Sequence, residues 1–332
     1  MKTNCTQPGT QLGTQPGTQP GTQPGTQAGM TMIETMVAMA ISSVLVLGAI
    51  SVYSNARANY RTTENVARLQ ESMRFATDTL DRDVRLAGFW GRTNEAATIG
   101  RDPTATVRCD NNDVTQWALN QKHIGIDASD DNYDLDCPGT NPRANSDVLV
   151  LRHASPMQNV VATANRVQVQ TFSTGGTIFA DGIPPLGAPD PNVNQIYDVA
   201  VSAYYISNES RYDATMPSLR RRTLVGQTMQ DQEIINGVEN LQVQFGIDTT
   251  GDGRANGYVD DGHVRKSDDN IVSVRLWLLV RGDTDESAQG YIDDNVYQTP
   301  DADGFVITPD DGDQYPQNFR RYAITKTIAL RN

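Results

Sequence analysis

From Met30 to Val52 the chain runs for 23 residues with no proline and one ionisable side chain, Glu34. As a helix at about 1.5 Å per residue, this run is long enough to cross a bilayer's hydrocarbon core of about 30 Å. Glu34 stands near its start, where an unpaired carboxylate in lipid costs roughly 2–4 kcal/mol. Such an acid needs a partner. Cleavage after Gly29 would create a cationic α-amino group on Met30, within one helical turn of Glu34. The same amine on a neighbouring copy would serve equally.

Gly29-Met-Thr-Met-Ile-Glu34, followed by an unbroken apolar run, resembles the class III signal of type IV pilins and type II secretion pseudopilins. The resemblance implies that a membrane prepilin peptidase cuts after Gly29 and methylates Met30. It also implies that Glu34 acts in assembly. Met30 and Met32 stand where the family usually has Phe and Leu. The competing reading is an ordinary signal anchor with Glu34 at headgroup level.

Ahead of that signal, Thr-Gln-Pro-Gly recurs from Thr14, Thr18 and Thr22. Pro and Gly at this density disfavour helix and strand, and nothing apolar is available to bury. Residues 1–29 are therefore expected to be a disordered prepilin leader. It is longer than family leaders, and Lys2 is its only basic side chain. With Arg57 and Arg61 beyond the span, charge does not set the orientation; the motif does. Net charge is −13, from 27 basic and 40 acidic residues, which argues against nucleic acid or anionic lipid as partners of the whole molecule. Arg220–Arg221–Arg222 is the candidate for a local basic patch.

Past Val52 the helical pattern continues as an amphipathic stripe: Val66, Leu69, Met73, Ala76, Leu80, Val84 and Ala87. Arg68, Glu71, Arg74, Asp78, Asp81 and Arg85 fall on the other sides, and Gly88 is placed to end the helix. This predicts a helix over 30–87, apolar over 30–52 and amphipathic over 53–87. The alternative is two helices broken near Ser54–Asn55. From residue 88 onward, short runs between Gly, Pro, Asn and Asp predict strands at Asp147–Arg152, Arg166–Phe172, Val199–Ile206, Leu219–Val225, Leu241–Ile247, Val272–Arg281 and Tyr322–Leu330. The expected class is α+β, a long N-terminal helix packed on a large antiparallel β-rich head over 88–332.

Within the head the resemblance narrows to PilW-like minor pilins. It is carried by Asp147–Arg152, Tyr204-Tyr-Ile206, Ser218-Leu-Arg-Arg221, Gly237–Asp248, Ser273–Arg281 and the ending from Arg320 to Asn332. It implies partners among other minor pilins, the major pilin and a tip adhesin. It implies an inner-membrane location with a periplasmic head before assembly, and an extracellular fibre afterwards.

Cys5 lies in the leader, leaving Cys109 and Cys137 as a pair. In an oxidising compartment they form a disulfide; otherwise they are two buried thiols. Asp248, Thr250, Asp252 and Asn256, with Gly253 at the sixth position, follow the first three-quarters of a calcium loop. Val259 occupies the twelfth position, so Asp260 or Asp261 would have to substitute. A Gly/Asp turn with solvated carboxylates is the preferred reading, with weak calcium binding at most and no other cofactor. Asp301-Ala-Asp303-Gly304 and Asp310–Asp313 are shorter acidic turns. No nucleophile elbow, zinc-protease helix or phosphate-binding glycine loop is present. His123, His153 and His263 share no catalytic spacing and are expected at the surface or in turns. The chain is expected not to be an enzyme.

Overall fold

The computed structural model describes residues 29–93, 96–120, 125–263, 270–301, 304–310 and 314–330. Residues 1–28 of the expected leader, with Cys5, and His123, Asp303 and Asp311–Asp313 lie outside them. The described residues divide into two compact units, with the boundary between Arg57 and Ala58.

Helix α1 spans Met32–Leu86 without the break considered near Ser54–Asn55. It ends as its sequence dictates. Gly88 takes the left-handed conformation (φ 78°) that L side chains resist, and its N–H bonds to Arg152 O at 3.0 Å.

Beyond the helix the chain is mostly strand. The first strands are β1 (Ile99–Arg101), β2 (Arg108–Cys109), β3 (Asn112–Asp113) and β4 (Ile126–Ser129). Next come β5 (Val148–Asn159), β6 (Gln168–Phe172), β7 (Gly175–Phe179), β8 (Gln195–Ser207), β9 (Ser218–Val225) and β10 (Thr228–Asn236). The last are β11 (Val238–Ile247), β12 (Gly257–Val259), β13 (Ile271–Arg281), β14 (Tyr297–Gln298), β15 (Val306–Ile307) and β16 (Arg321–Ala329). A large sheet runs β1-β7-β6-β8-β9-β10-β2-β3, with β5 on the opposite edge of β8 and β4 outside β5. A second sheet runs β12-β11-β13-β16, and β14 pairs with β15. Apart from β1 with β7 and β2 with β10, the pairings are antiparallel. The class is α+β.

Within the second unit, the helical stripe finds its partner in the sheets. Ala76, Leu80, Val84 and Ala87 join one buried cluster with Leu149, Leu151, Tyr204 and Ile206 of the large sheet and with the inner side chains of β11 and β13. The helix's polar sides are tied down as well. Asp83 accepts from the Tyr204 hydroxyl at 2.6 Å and pairs with Arg221 at 3.5 Å. Lys326 lies 3.6 Å from both Asp78 and Asp81.

Alternation in β11 and β13 would suit a sheet with one wet face, but every residue of β11 is buried. The segment between β13 and β16 folds over the outer face, where Ile307 and Tyr315 pack on Trp277 and Leu279. Polar side chains on that face are thereby enclosed and must satisfy one another. Glu239 takes both nitrogens of the Arg321 fork at 2.6 and 3.1 Å, Arg281 stands 3.6 Å from it, and Asp293 meets Arg321 at 3.2 Å.

The seven expected strands are present with shifted bounds; β5 runs on to Asn159 and β8 begins at Gln195. β1 to β4, β7, β10, β12, β14 and β15 were not anticipated. β10 reads Thr-Met-Gln-Asp-Gln-Glu-Ile-Ile-Asn, with no alternation to mark it, because its acids are matched to arginines on β9. The expected basic patch dissolves for the same reason. Arg220 pairs with Asp231 at 2.5 Å and Glu233 at 3.1 Å, Arg221 with Asp83, and Arg222 with Asp231 at 3.8 Å. His153 is not at the surface or in a turn. It is buried in β5, its Nδ1 2.8 Å from Ala154 O; His263 is exposed.

Candidate functional site

The segment singled out for processing and assembly is the entry to α1. Gly29 and Met30 precede the helix and are exposed. Thr31 caps it: its Oγ1 accepts the Glu34 N–H at 3.3 Å, and its carbonyl accepts Glu34 N–H at 3.0 Å and Thr35 N–H at 3.2 Å. Thr-x-x-Glu is the sequence form of a capping box, and it satisfies amide hydrogens that a helix start leaves without partners. Glu34 itself is in the first turn, exposed, where the helix dipole favours a carboxylate.

The run that follows is apolar on every side. Ile33, Val37, Ile41, Val44, Leu45, Leu47 and Ile50 are all more than half exposed. A helix that is apolar all round suits lipid or a bundle of like helices, not water. By length and composition it is able to cross a membrane. Its few polar side chains are compatible with that. Thr35, Ser42 and Ser43 donate to the carbonyls of Met32, Ala38 and Ala40 at 2.8, 2.6 and 2.8 Å, so these three hydroxyls do not need water.

In the head, Cys109 and Cys137 form a disulfide, with Cα atoms 5.4 Å apart and both residues fully buried. It pins β2 to the loop before β5. Tyr133 donates to Cys137 O at 2.6 Å, and Asn112 to Asp136 O at 2.9 Å.

The Asp248 loop is held by its own backbone. Asp248 Oδ1 accepts from Thr250 N (2.8 Å) and Gly251 N (2.7 Å), and Oδ2 from Gly253 N (2.6 Å). Asn256 Oδ1 accepts from Thr249 N at 2.7 Å, and Asp252 Oδ1 from Arg254 N at 3.1 Å. Desolvation raises the Asp248 carboxyl, but the amides of Gly253, Thr250 and Gly251 outweigh it and hold the group below the usual range. Asp260, the proposed substitute ligand, accepts instead from Gln244 Nε2 at 2.8 Å. Among the described residues, no three acidic, His or Cys side chains are grouped to hold a metal ion.

Sequence reasoning passed over two side chains. Asp147 joins the two sheets: its Oδ2 accepts Val243 N–H of β11 at 2.7 Å and its Oδ1 accepts Asp131 N–H at 2.9 Å. Arg152 is buried against Trp117 O at 2.5 Å. The signal was present, since both flank the all-apolar Val148–Leu151.

Two family profiles match the chain. The prokaryotic N-terminal methylation motif covers residues 25–50, and the family described as Type IV Pilus-assembly protein W covers residues 203–332. The chain carries a prepilin-type N-terminal motif and a PilW domain. That match begins within β8, so the PilW domain takes in β9 to β16. Tyr204–Ile206, Ser218–Arg221, Gly237–Asp248 and Ser273–Arg281 lie inside it, whereas Asp147–Arg152 lies outside. No curated protein matches the chain significantly. A type IV-like pilin from Thermus thermophilus aligns over 79% of this chain and 97% of its own, at 10% identity and a TM-score of 0.34. Pilin families are structural, and the methylation motif implies handling by a prepilin peptidase and incorporation with other pilus components.

Proposed function

We propose that this pilin-like protein is a non-catalytic minor subunit acting in the initiation or tip of a type IV pilus. Prepilin peptidase cuts after Gly29 and methylates Met30. The head then stands in the periplasm while the apolar half of α1 remains in the inner membrane. On assembly that half leaves the membrane and packs against other pilin helices, with Glu34 meeting an N-terminal amine. Head-to-tail packing of this kind does not close and so propagates as a filament. Other minor pilins, the major pilin and a tip adhesin are the partners, and no cofactor is required for this role.

One observation carries the reading: a PilW domain follows a prepilin-type motif whose helix is apolar on all sides. The test is deletion of the gene, scoring surface pili and twitching separately from protein secretion. Loss of pili with normal secretion is expected. Loss of secretion with normal pili would reassign the chain to the pseudopilins of a type II system. Neither defect would make it a membrane-anchored binding protein.

A further inference from the structure

The edge of a sheet is an open row of backbone N–H and C=O groups, which proteins blunt with short strands, proline, outward charge or bulges. The large sheet ends in β1, β3 and β4, strands of three, two and four residues. The second sheet ends on one side in β12, of three. Where longer strands outrun these, their ladders are interrupted or capped. β5 breaks register with β8 between Ala154 and Gln158, and β10 with β9 between Glu233 and Ile235. β11 is met by Ser146 Oγ on Leu241 N–H and by Asp147 Oδ2 on Val243 N–H.

β16, at the other end of the second sheet, has none of these devices. It runs for nine residues without proline, and its register with β13 is unbroken from Arg281↔Arg321 to Ser273↔Ala329. Gly282 N–H donates to Arg320 O at 2.8 Å and Leu330 N–H to Val272 O at 3.0 Å. With that register, the even-numbered residues of β16 bond to β13. The N–H and C=O groups of Ala323, Thr325, Thr327 and Ala329 therefore point to the open side, where no strand among the described residues meets them. Thr325, Thr327 and Ala329 are exposed. Arg321 is buried. Lys326, the other charge of the strand, faces α1, 3.6 Å from both Asp78 and Asp81, so it does not guard the edge.

The two faces of the strand define what fits beside it. On the α1 face, Ile324 and Leu330 are half-buried against the main core, and Tyr322 is 53% exposed. Thr325 and Thr327 stand on the other face. A further strand with apolar side chains on the α1 face would extend that core and cover Ile324 and Leu330. We propose that the open edge of β16 is a docking site for an extended segment of a different protein chain, apolar at alternate residues. The segment adds as a fifth strand to the β12-β11-β13-β16 sheet. Main-chain hydrogen bonds hold such a strand, and its alternate side chains give the selectivity. The α1-face row of β16 itself is broken at its centre by Lys326, which makes a second copy of this chain the poorer complement.

The test uses the full chain in detergent and, as probe, a synthetic peptide alternating valine and threonine with lysine at both ends. Amide hydrogen exchange is read residue by residue with and without the probe. In the chain alone, Ala323, Thr325, Thr327 and Ala329 should exchange faster than Ile324, Lys326 and Ile328. Probe at about ten times its dissociation constant should slow the first group about tenfold and leave the second unchanged. Thr325→Pro removes an outward N–H and keeps the β13 ladder, and Thr325→Lys with Thr327→Lys puts charge on the edge. Each should abolish the slowing, and thermal unfolding shows which variants are folded; the lysine pair serves if the proline variant is not. Three results would each overturn the proposal. One is no slowing up to about 1 mM probe. Another is undiminished slowing in a folded edge variant. The third is protection of the first group in the chain alone that rises with its own concentration, which would make the occupant a second copy.

Discussion

Replacing Glu239 with Leu removes the one carboxylate that both Arg321 and Arg281 face beneath the β13–β16 cover. Glu239 is fully buried. It receives two charge-assisted bonds from Arg321, at 2.6 and 3.1 Å, and the nearby charge of Arg281 at 3.6 Å. Arg321 retains Asp293 at 3.2 Å and the carbonyls of Pro316 and Phe319. Arg281 retains Thr215 O at 2.5 Å. Neither guanidinium can reach water without lifting the cover, so breaking the group should cost about 3–5 kcal/mol. For a unit of this size that is a fall in melting temperature of about 6–20 °C. Arg321→Leu strands Glu239 and Asp293 and should cost a similar amount. The double variant leaves only Arg281 and Asp293 to be rehoused. Its cost should fall short of the sum of the singles by about 2–3 kcal/mol. Urea unfolding of all four proteins, read by tryptophan fluorescence because Trp277 sits under the cover, gives the cycle. A coupling under about 0.5 kcal/mol would refute the reasoning, since it would mean that the three groups ionise independently in water.

Leu80→Ala removes a fully buried contact of α1 with both sheets and should cost about 2–5 kcal/mol; a loss below about 1 kcal/mol by urea unfolding would show that the helix does not depend on this stripe. Reducing Cys109–Cys137, or replacing both with Ser, should cost about 3–4 kcal/mol for a 28-residue separation, seen as a lower denaturant midpoint that reductant no longer shifts in the Ser variant. Stability should fall as pH rises from about 4 to 8. Burial raises Asp301 to about 7 and Asp147 to about 8, so across that window the folded chain holds protons that the unfolded chain has released. Melting temperatures measured from pH 4.5 to 8 should show this slope, and Asp301→Asn should flatten it below pH 7; an unchanged slope in that variant would contradict the assignment. Gly29→Val should accumulate uncleaved precursor on a gel, and Glu34→Ala should be cleaved yet fail to enter pili; assembly of that variant at the normal level would remove the role given to Glu34.

Local features of the chain were legible because local forces set them. The period of Leu69, Ala76, Leu80 and Val84 determined which face of α1 is buried, and Gly88 determined where it stops, since both depend on residues within a turn of each other. The Gly29–Glu34 signal was likewise contiguous, and alternation in Leu241–Ile247 and Val272–Val280 marked β11 and β13. What the sequence could not show was which strands would be neighbours and what would cover them. β10 is recognisable only once Asp231 and Glu233 stand opposite Arg220 on β9. The same pairing turned an apparent basic patch into an internal, neutralised seam. The polar residues of β11 read as a solvent face, because alternation reports that two faces differ and not what lies against either. Only the return of the chain between β13 and β16 encloses Glu239, Gln242 and Gln244, and only that return brings Pro300 O to Gln244, 56 positions away in the chain. Contacts over such separations carry no period along the sequence, so their partners are set by tertiary packing alone.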